Sequence, residues 1–255
     1  MAPVPRTGAA RNPEEAASRR PNPSPVIPLR DHLPGRSTPV VVFLLILINV
    51  LVFVYESNLN QQGRLESFVE SYGMIPFEIT RGEDIPPAGP EPIYATLFSS
   101  MFMHGSWLHL GGNMLYLWIF GNNVEDVFGK IGFLIFYLLM GLAGHLGQIF
   151  IAPASQVPLI GASGAIAGVM GAYLAFFPRA RVDTLVIYFI FIRVVALPAL
   201  YVLGFWILIQ FVQASLEMGG AGGGVAWWAH IGGFAAGFLI GLFFRGRAGA
   251  LRGAF

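Results

Sequence analysis

Six long apolar stretches constrain this chain more than any other feature of its sequence. A helix needs about 20 apolar residues to cross the hydrocarbon core of a bilayer, and most of the stretches are close to that length. Of the 255 residues, 55% are hydrophobic and only 11% are charged, which is too apolar for an ordinary soluble domain. The sequence therefore predicts an all-α, multi-pass integral membrane protein in contact with the lipid bilayer. The stretches lie at roughly 39–55, 98–121, 131–152, 159–177, 194–214 and 227–244.

Charged residues predict how the chain is oriented and divided. The first 38 residues are rich in Pro, Arg, Ser and Ala, and residues 1–38 are interpreted as a disordered cytosolic tail. A six-helix domain at 39–245 and a short basic cytosolic C-terminus at 246–255 follow. Because arginines also follow the fourth and sixth stretches, whereas the loop at 56–93 is acidic, both termini are expected to be cytoplasmic. The apolar segment 184–193 is too short to span and is placed at the cytoplasmic interface.

Composition also excludes several classes of function. A net charge of +1 does not indicate a nucleic-acid partner. The absence of Cys excludes disulfides, thiolate catalysis and Cys-ligated metals. No metal site and no cofactor are predicted, and the oligomeric state is left open.

Four polar residues from three predicted helices fall in one layer of the membrane. Ser163 lies 15 residues above Pro178 and His230 lies 15 residues above Arg245, which puts both roughly 22 Å above the cytoplasmic boundary. On the second helix, which runs in the opposite direction, His109 and Asn113 lie at about 20 and 14 Å. Polar residues are costly in lipid, so such a group is a hypothesis of function by default.

The residue types in this layer are those that acyl transfer requires. Ser163 precedes a helix that begins within the membrane, where first-turn N–H groups lack intrahelical partners and favour an anion. A serine nucleophile, a histidine base and donors aimed at an oxyanion make up that chemistry. No acid lies in the layer, so a Ser-His dyad with His230 fits better than a triad. Taken alone, Ser163 would more often be a packing residue, and the His109 and Asn113 pair would more often bond helices together. For His230 alone, an interhelical hydrogen bond is as common an explanation as catalysis.

Glycines surround the serine and continue along two helices. Gly161 and Gly164 permit the turn from loop to helix and a close approach to a substrate carbonyl. Small residues spaced along both helices predict that helix four packs against helix six, which would bring the imidazole to the hydroxyl. The two faces comprise Gly164, Gly168 and Gly171, and Gly233, Gly237 and Gly241.

Three motifs carry a resemblance to a known family. They are "MHGSWLHLGGNM" at 103–114, "GASGA" at 161–165 and "AHIGGFAAG" at 229–237, and "FGNNVEDVFGK" after helix two also matches. In this order, and on predicted helices two, four and six, they resemble the rhomboid intramembrane serine proteases over roughly residues 39–245. The resemblance implies a six-transmembrane-helix rhomboid bundle with the nucleophile at the N-terminus of the fourth helix.

The same resemblance implies a role for each motif residue. It implies Ser163 as nucleophile and His230 as general base, with the Ser163 backbone N–H, His109 and Asn113 as the oxyanion hole. His104 is expected to be structural or close to the substrate, as are Gly161 and Gly164. Some family members carry a Tyr one turn after the nucleophile that stacks on the catalytic His. Here that position is Ala167, so other contacts must orient the His.

The activity that the resemblance implies is that of an endopeptidase acting on transmembrane segments. Single-pass transmembrane proteins are the expected substrates, and a bacterial plasma membrane is the expected location. A catalytically inert rhomboid-like protein that binds transmembrane clients is the main alternative, although such a protein would usually lack the Ser or the His. A transporter would more often show membrane acids or an internal repeat. No HExxH motif or pair of membrane acids points to another protease class.

Overall fold

The computed structural model describes residues 26–188, 191–217 and 225–252. Nine α-helices and three strands lie within these ranges, with single 3-10 turns at Ile93–Ala95 and Ser100–Phe102. The helices are α1 Val40–Gln61, α2 Leu65–Tyr72, α3 Pro76–Arg81, α4 Thr96–Ser99, α5 Trp107–Phe128, α6 Lys130–Ile151, α7 Ser163–Phe176, α8 Ala199–Glu217 and α9 Trp227–Arg252. The strands are β1 Val26–Asp31, β2 Arg181–Tyr188 and β3 Phe191–Pro198.

Four helices within the described ranges are long and apolar enough to cross a membrane, which makes this an integral membrane protein. They are α1, α6, α8 and α9. Of the other two predicted spans, one falls largely in α5, which is 22 residues long but carries His, Asn, Glu and Asp side chains. The other is α7, whose 14 residues reach only about 21 Å. Four of the six predicted spans are thus identified by length and composition, and the count of six stays a prediction.

The short helix α7 occupies the centre of the helical assembly. Every residue from Gly164 to Phe176 is buried, and α5, α6 and α9 pack around it. A Cβ added at Gly233 would collide with the Gly164 carbonyl oxygen, and one at Gly237 would collide with that of Gly168. The predicted packing of the two glycine faces is therefore confirmed, and it holds the backbones of α7 and α9 in direct contact.

A three-stranded antiparallel sheet corrects the all-α expectation. Its strand order is β1-β2-β3, with Val26 opposite Val186 and Tyr188 opposite Phe191. The segment 184–193, predicted to lie at the membrane interface, contributes residues 184–188 to β2 and residues 191–193 to β3. The Val, Ile, Thr and aromatic residues of this segment favour strands. The sequence-based prediction considered only whether the segment is long enough to span the membrane. Because β3 continues to Pro198, α8 begins at Ala199 and not near 194.

Two predicted domain boundaries also change. Residues 26–31 belong to the predicted disordered tail, but they form β1, which is paired along β2, so the expectation is wrong for this part. Residues 1–25 of that tail lie outside the described residues. At the other end, α9 runs to Arg252, so the predicted boundary at 245 falls within a continuous helix. A basic C-terminal segment therefore extends the last span rather than following it.

The carboxyl group of Asp31, on β1, is expected to make the stability of the fold depend on pH. Burial raises its pKa from 3.8 to about 6. The Tyr173 hydroxyl donates a hydrogen bond to the carboxyl group at 2.7 Å, which lowers the pKa but does not cancel the effect of burial. The folded state thus holds this proton more tightly than the unfolded state. The resulting stabilisation is complete below about pH 3.8 and is lost as the pH rises through about 6. Asp31→Asn is therefore expected to raise the thermal unfolding temperature at about pH 8, and the gain should vanish below about pH 4.

The neighbouring strand offers a control of opposite sign. The side chains of Arg30 and His32 lie 2.8 and 2.7 Å from the Asp183 carboxylate and lower its pKa. Asp183→Asn should therefore lower the unfolding temperature at about pH 8, because the stabilisation is present above the unfolded pKa. Circular dichroism of the detergent-solubilised proteins between about pH 3 and 8 measures the unfolding temperature of both variants. Shifts in the same direction for the two substitutions would contradict the argument.

Candidate active site

The site is built around the first residue of α7, Ser163, at the end of a loop fixed by backbone hydrogen bonds. Met74 and Leu159 exchange two such bonds, at 3.0 and 2.8 Å, and the Gly161 N–H donates to the Ser100 carbonyl at 2.8 Å. Met74 itself is fully buried. The segment after α1 therefore docks on the loop that leads to the serine.

Gly161 has a conformation and surroundings that exclude a side chain. Its φ is +130°, a value that other residues rarely adopt. A Cβ at this position would lie 2.8 Å from His109 Nε2 and 3.6 Å from Ser163 Oγ. The missing side chain therefore leaves room for His109 to approach the serine. Gly164, the second predicted glycine, is buried against Gly144 of α6 and faces α9.

The predicted serine and histidine lie in direct contact. The distance from Ser163 Oγ to His230 Nε2 is 2.8 Å, although the residues are 67 positions apart in the chain. His230 lies in the first turn of α9, and the glycine contacts between α7 and α9 begin three residues further on. Close backbone packing thus sets this distance, as the sequence predicts.

The other predicted residues lie in and just before the first two turns of α5. Ser106 caps this helix, and its hydroxyl accepts the His109 N–H at 3.1 Å. Asn113, one turn after His109, is buried, and its amide nitrogen donates to His104 Nε2 at 2.9 Å. An amide nitrogen carries two hydrogens, so this bond leaves Asn113 a second N–H. His104 therefore has a structural contact, with Asn113 as its partner.

A buried carboxylate supports this arrangement, and the sequence analysis missed it. Glu56 counts as one of the acidic residues of an external loop in the sequence, but it lies in the last turns of α1 and is 1% exposed. Its carboxylate accepts the backbone N–H of His104, with the shorter distance 3.0 Å. An acid in an apolar helix is an unusual signal, and the assignment of residue 56 to a loop concealed it.

The imidazole of His230 has a second polar neighbour that the sequence analysis did not identify. Its Nδ1 lies 2.7 Å from Oε1 of Gln210, on α8. The indole of Trp206, one turn earlier on α8, lies with its centroid 5.7 Å from that of the imidazole. The available signal was an amide side chain within the apolar run from Phe205 to Val212 of the fifth predicted span, 20 positions before the histidine.

Several of the residues described above line one cavity of about 500 Å³. It contacts Ser163, His230, His109 and Asn113, which are the four residues predicted to share a membrane layer. Apolar residues complete its wall, namely Leu108, Ile160, Ile166, Met170, Val225 and Ala226, together with Tyr116 and Trp206. A mostly apolar cavity with a few convergent polar groups is the usual form of a small-molecule or peptide site.

Comparison with known proteins places the chain in a family. Residues 92–247, more than half of the chain, match the Rhomboid domain. Rhomboid protein 1, mitochondrial, of Saccharomyces cerevisiae is 28% identical over 210 residues, which cover 79% of this chain and 52% of that protein. RHOMBOID-like protein 4 of Arabidopsis thaliana is 30% identical over 225 residues, covering 80% and 52%. Rhomboid protease GluP of Bacillus subtilis is 38% identical over 78 residues, covering 31% and 15%.

The extent of these matches differs between the chain and its relatives. The chain spans about half the length of the yeast and Arabidopsis proteins and a smaller part of GluP. The matched domain contains all the residues that line the cavity and excludes Glu56 on α1. With its motifs, its membrane helices and this domain match, the chain belongs to the rhomboid family.

Proposed function

We propose that this protein is an intramembrane serine endopeptidase that hydrolyses peptide bonds in or near the transmembrane segments of its substrates. The observation that carries the proposal is the 2.8 Å contact between Ser163 Oγ and His230 Nε2. This contact lies at the N-terminus of a helix and opens on a cavity. A hydroxyl within reach of a neutral imidazole is the basic unit of nucleophilic catalysis by serine.

The first chemical step joins the serine to the substrate. Ser163 Oγ attacks a peptide carbonyl carbon while His230 Nε2 takes the hydroxyl proton, and the carbonyl oxygen becomes an oxyanion. The backbone N–H of Ser163, at the positive end of α7, is one donor to that oxyanion. The ring N–H of His109 and the second amide N–H of Asn113 are the others. The Glu56 and His104 contacts hold Asn113 in place for this role.

Collapse of the tetrahedral intermediate completes the cleavage. His230 returns its proton to the leaving amine, and the C–N bond breaks to leave an ester on Ser163. Water then attacks this ester, with His230 again as base, and releases the carboxylate product. Because water must reach the ester, the cavity between α5 and α9 is the expected route.

The expected substrates are single-pass transmembrane proteins, which reach the site from the bilayer. A helix hides its carbonyl carbons, so a substrate helix must unwind locally before Ser163 can attack it. Gly, Pro or Ser near the cut would favour that step because each weakens a helix. From the arginines beside α7 and in the last turns of α9 we infer that both termini are cytoplasmic. A bacterial plasma membrane is the location that we propose.

A serine-directed fluorophosphonate tests the proposal without knowledge of the substrate. The purified protein in detergent should gain one adduct by intact mass, and peptide mapping should assign it to Ser163. Ser163→Ala and His230→Ala should gain none. Ser215→Ala is the matched control, because the Ser215 hydroxyl is bonded at 2.7 Å to the Phe211 carbonyl of its own helix. No adduct on the folded protein would instead favour an inert, client-binding member of the family.

A further inference from the structure

The His230 imidazole is held between two polar groups, one on each of its nitrogens. Nε2 faces the Ser163 hydroxyl at 2.8 Å and Nδ1 faces Gln210 Oε1 at 2.7 Å. A neutral imidazole carries one hydrogen, and only the nitrogen without it can accept a proton from serine. Whichever group fixes the hydrogen on Nδ1 therefore decides whether His230 can act as a base towards Ser163.

A second hydrogen bond fixes which end of the Gln210 amide faces the histidine. Gln210 Nε2 donates to the Trp206 carbonyl, one turn earlier on α8, at 3.2 Å. With its nitrogen used in this way, the amide presents its oxygen to His230. An amide oxygen can only accept, so Nδ1 must carry the hydrogen and Nε2 must keep its lone pair for the Ser163 hydroxyl.

The surroundings of Gln210 make this arrangement rigid. The side chain is 5% exposed, although α8 is otherwise apolar from Phe205 to Val212. The Trp206 indole lies beside the imidazole, with ring centroids 5.7 Å apart and planes 39° apart. One turn of α8 therefore supplies both a polar contact and an aromatic contact to His230. A buried amide is costly in a membrane helix unless it is bonded, and here both ends of the amide are.

We propose that Gln210 is the positioning residue of the dyad. It holds His230 in the tautomer whose Nε2 accepts the Ser163 proton, and it lies on a helix that carries neither member of the dyad. Because the Gln210 amide is neutral, it holds this tautomer without placing a second charge beside the imidazole when the imidazole becomes protonated. The proposal rests on the proposed function, because a tautomer matters to catalysis only if Ser163 is a nucleophile.

Two substitutions at Gln210 distinguish the effect of its hydrogen-bond acceptor from the effect of its side-chain shape. Gln210→Met keeps the length of the side chain but has no strong acceptor, whereas Gln210→Glu keeps an acceptor. In Gln210→Met, the labelling rate of Ser163 and the kcat for a transmembrane reporter should each fall on the order of 10²-fold. This loss is smaller than the ~10⁴-fold fall in kcat that follows when the catalytic histidine is held entirely in the wrong tautomer. KM should be unchanged. Glu should recover most of the lost rate.

A matched control and a spectroscopic measurement complete the test. Gln148→Met makes the same change in α6 and should leave the labelling rate unaltered. Nitrogen-15 NMR of the ring nitrogens, simplified by the presence of only five histidines, reports the His230 tautomer directly. The spectrum should show hydrogen on Nδ1 in the unmodified protein and a mixture of tautomers in Gln210→Met.

These measurements distinguish failure of the positioning role from failure of the proposed function. If the unmodified protein is not labelled, the proposed function fails, while the NMR spectra still decide whether Gln210 sets the tautomer. If labelling is normal and Gln210→Met is labelled as fast as the unmodified protein, the positioning role is overturned. A Glu variant as slow as the Met variant, with the same tautomer mixture, would also overturn it.

Discussion

Ser163→Ala and His230→Ala are each expected to reduce cleavage of a transmembrane reporter in proteoliposomes by about 10⁴-fold or more, and the double variant is expected to be no worse. Residues that act as one unit lose nearly all their effect when either is removed. The 2.8 Å contact between Ser163 Oγ and His230 Nε2 is the reason to expect that these two residues act as such a unit. The measurement is the initial rate of product formation for the four proteins at one reporter density.

The controls for this prediction remove similar groups elsewhere. Ser215→Ala deletes a hydroxyl that bonds to its own helix, and His32→Ala deletes an exposed imidazole on the sheet next to β1. Both should cleave the reporter within about twofold of the unmodified rate. Substantial cleavage by Ser163→Ala would show that another nucleophile acts. Losses that multiply in the double variant would show that the serine and histidine act independently.

The parts of the site that the sequence predicts are those specified by local spacing. Small residues at intervals of three and four place Gly164 and Gly168 on one helix face and Gly233 and Gly237 on another. Because the two faces have no side chains between them, their contact follows from the spacing. The meeting of Ser163 and His230 then follows from the glycine contact, since each residue lies close to the start of its own glycine face.

The parts that the sequence does not predict depend on which elements become neighbours. Gln210 lies on α8, and nothing in its own spacing tells which helix it will face. Glu56 looks like a loop acid until the length of α1 is known. The sheet requires the pairing of residues 26–31 with 181–188, about 150 positions away, and no local pattern specifies such a partner. Contacts that depend on register between distant elements are therefore the ones revealed by the structure.

The second large effect that we expect is a fall in kcat when the Asn113 amide is removed. Asn113→Ala should reduce kcat for the reporter by about 10²- to 10³-fold, which is the usual effect of losing one oxyanion donor. KM should change little, because the oxyanion exists only in the transition state and the intermediates near it. Asn113→Asp keeps the shape but presents carboxylate oxygens in place of the N–H donors, so it should be at least as slow. Steady-state kinetics at several reporter densities separate the two parameters.

A control is needed because Asn113 also bonds to the buried His104, so its loss will lower stability as well as rate. Asn49→Ala is matched to it, since Asn49 is a buried amide on α1 whose nitrogen donates to the Leu45 carbonyl at 2.7 Å. This substitution should lower the thermal unfolding temperature while leaving kcat of the folded protein unchanged. If Asn113→Ala behaves in the same way, its amide supports His104 and the fold but does not touch the oxyanion. The Ser163 N–H and His109 alone would then stabilise the oxyanion. In that case His109→Ala should lower kcat more than Asn113→Ala does.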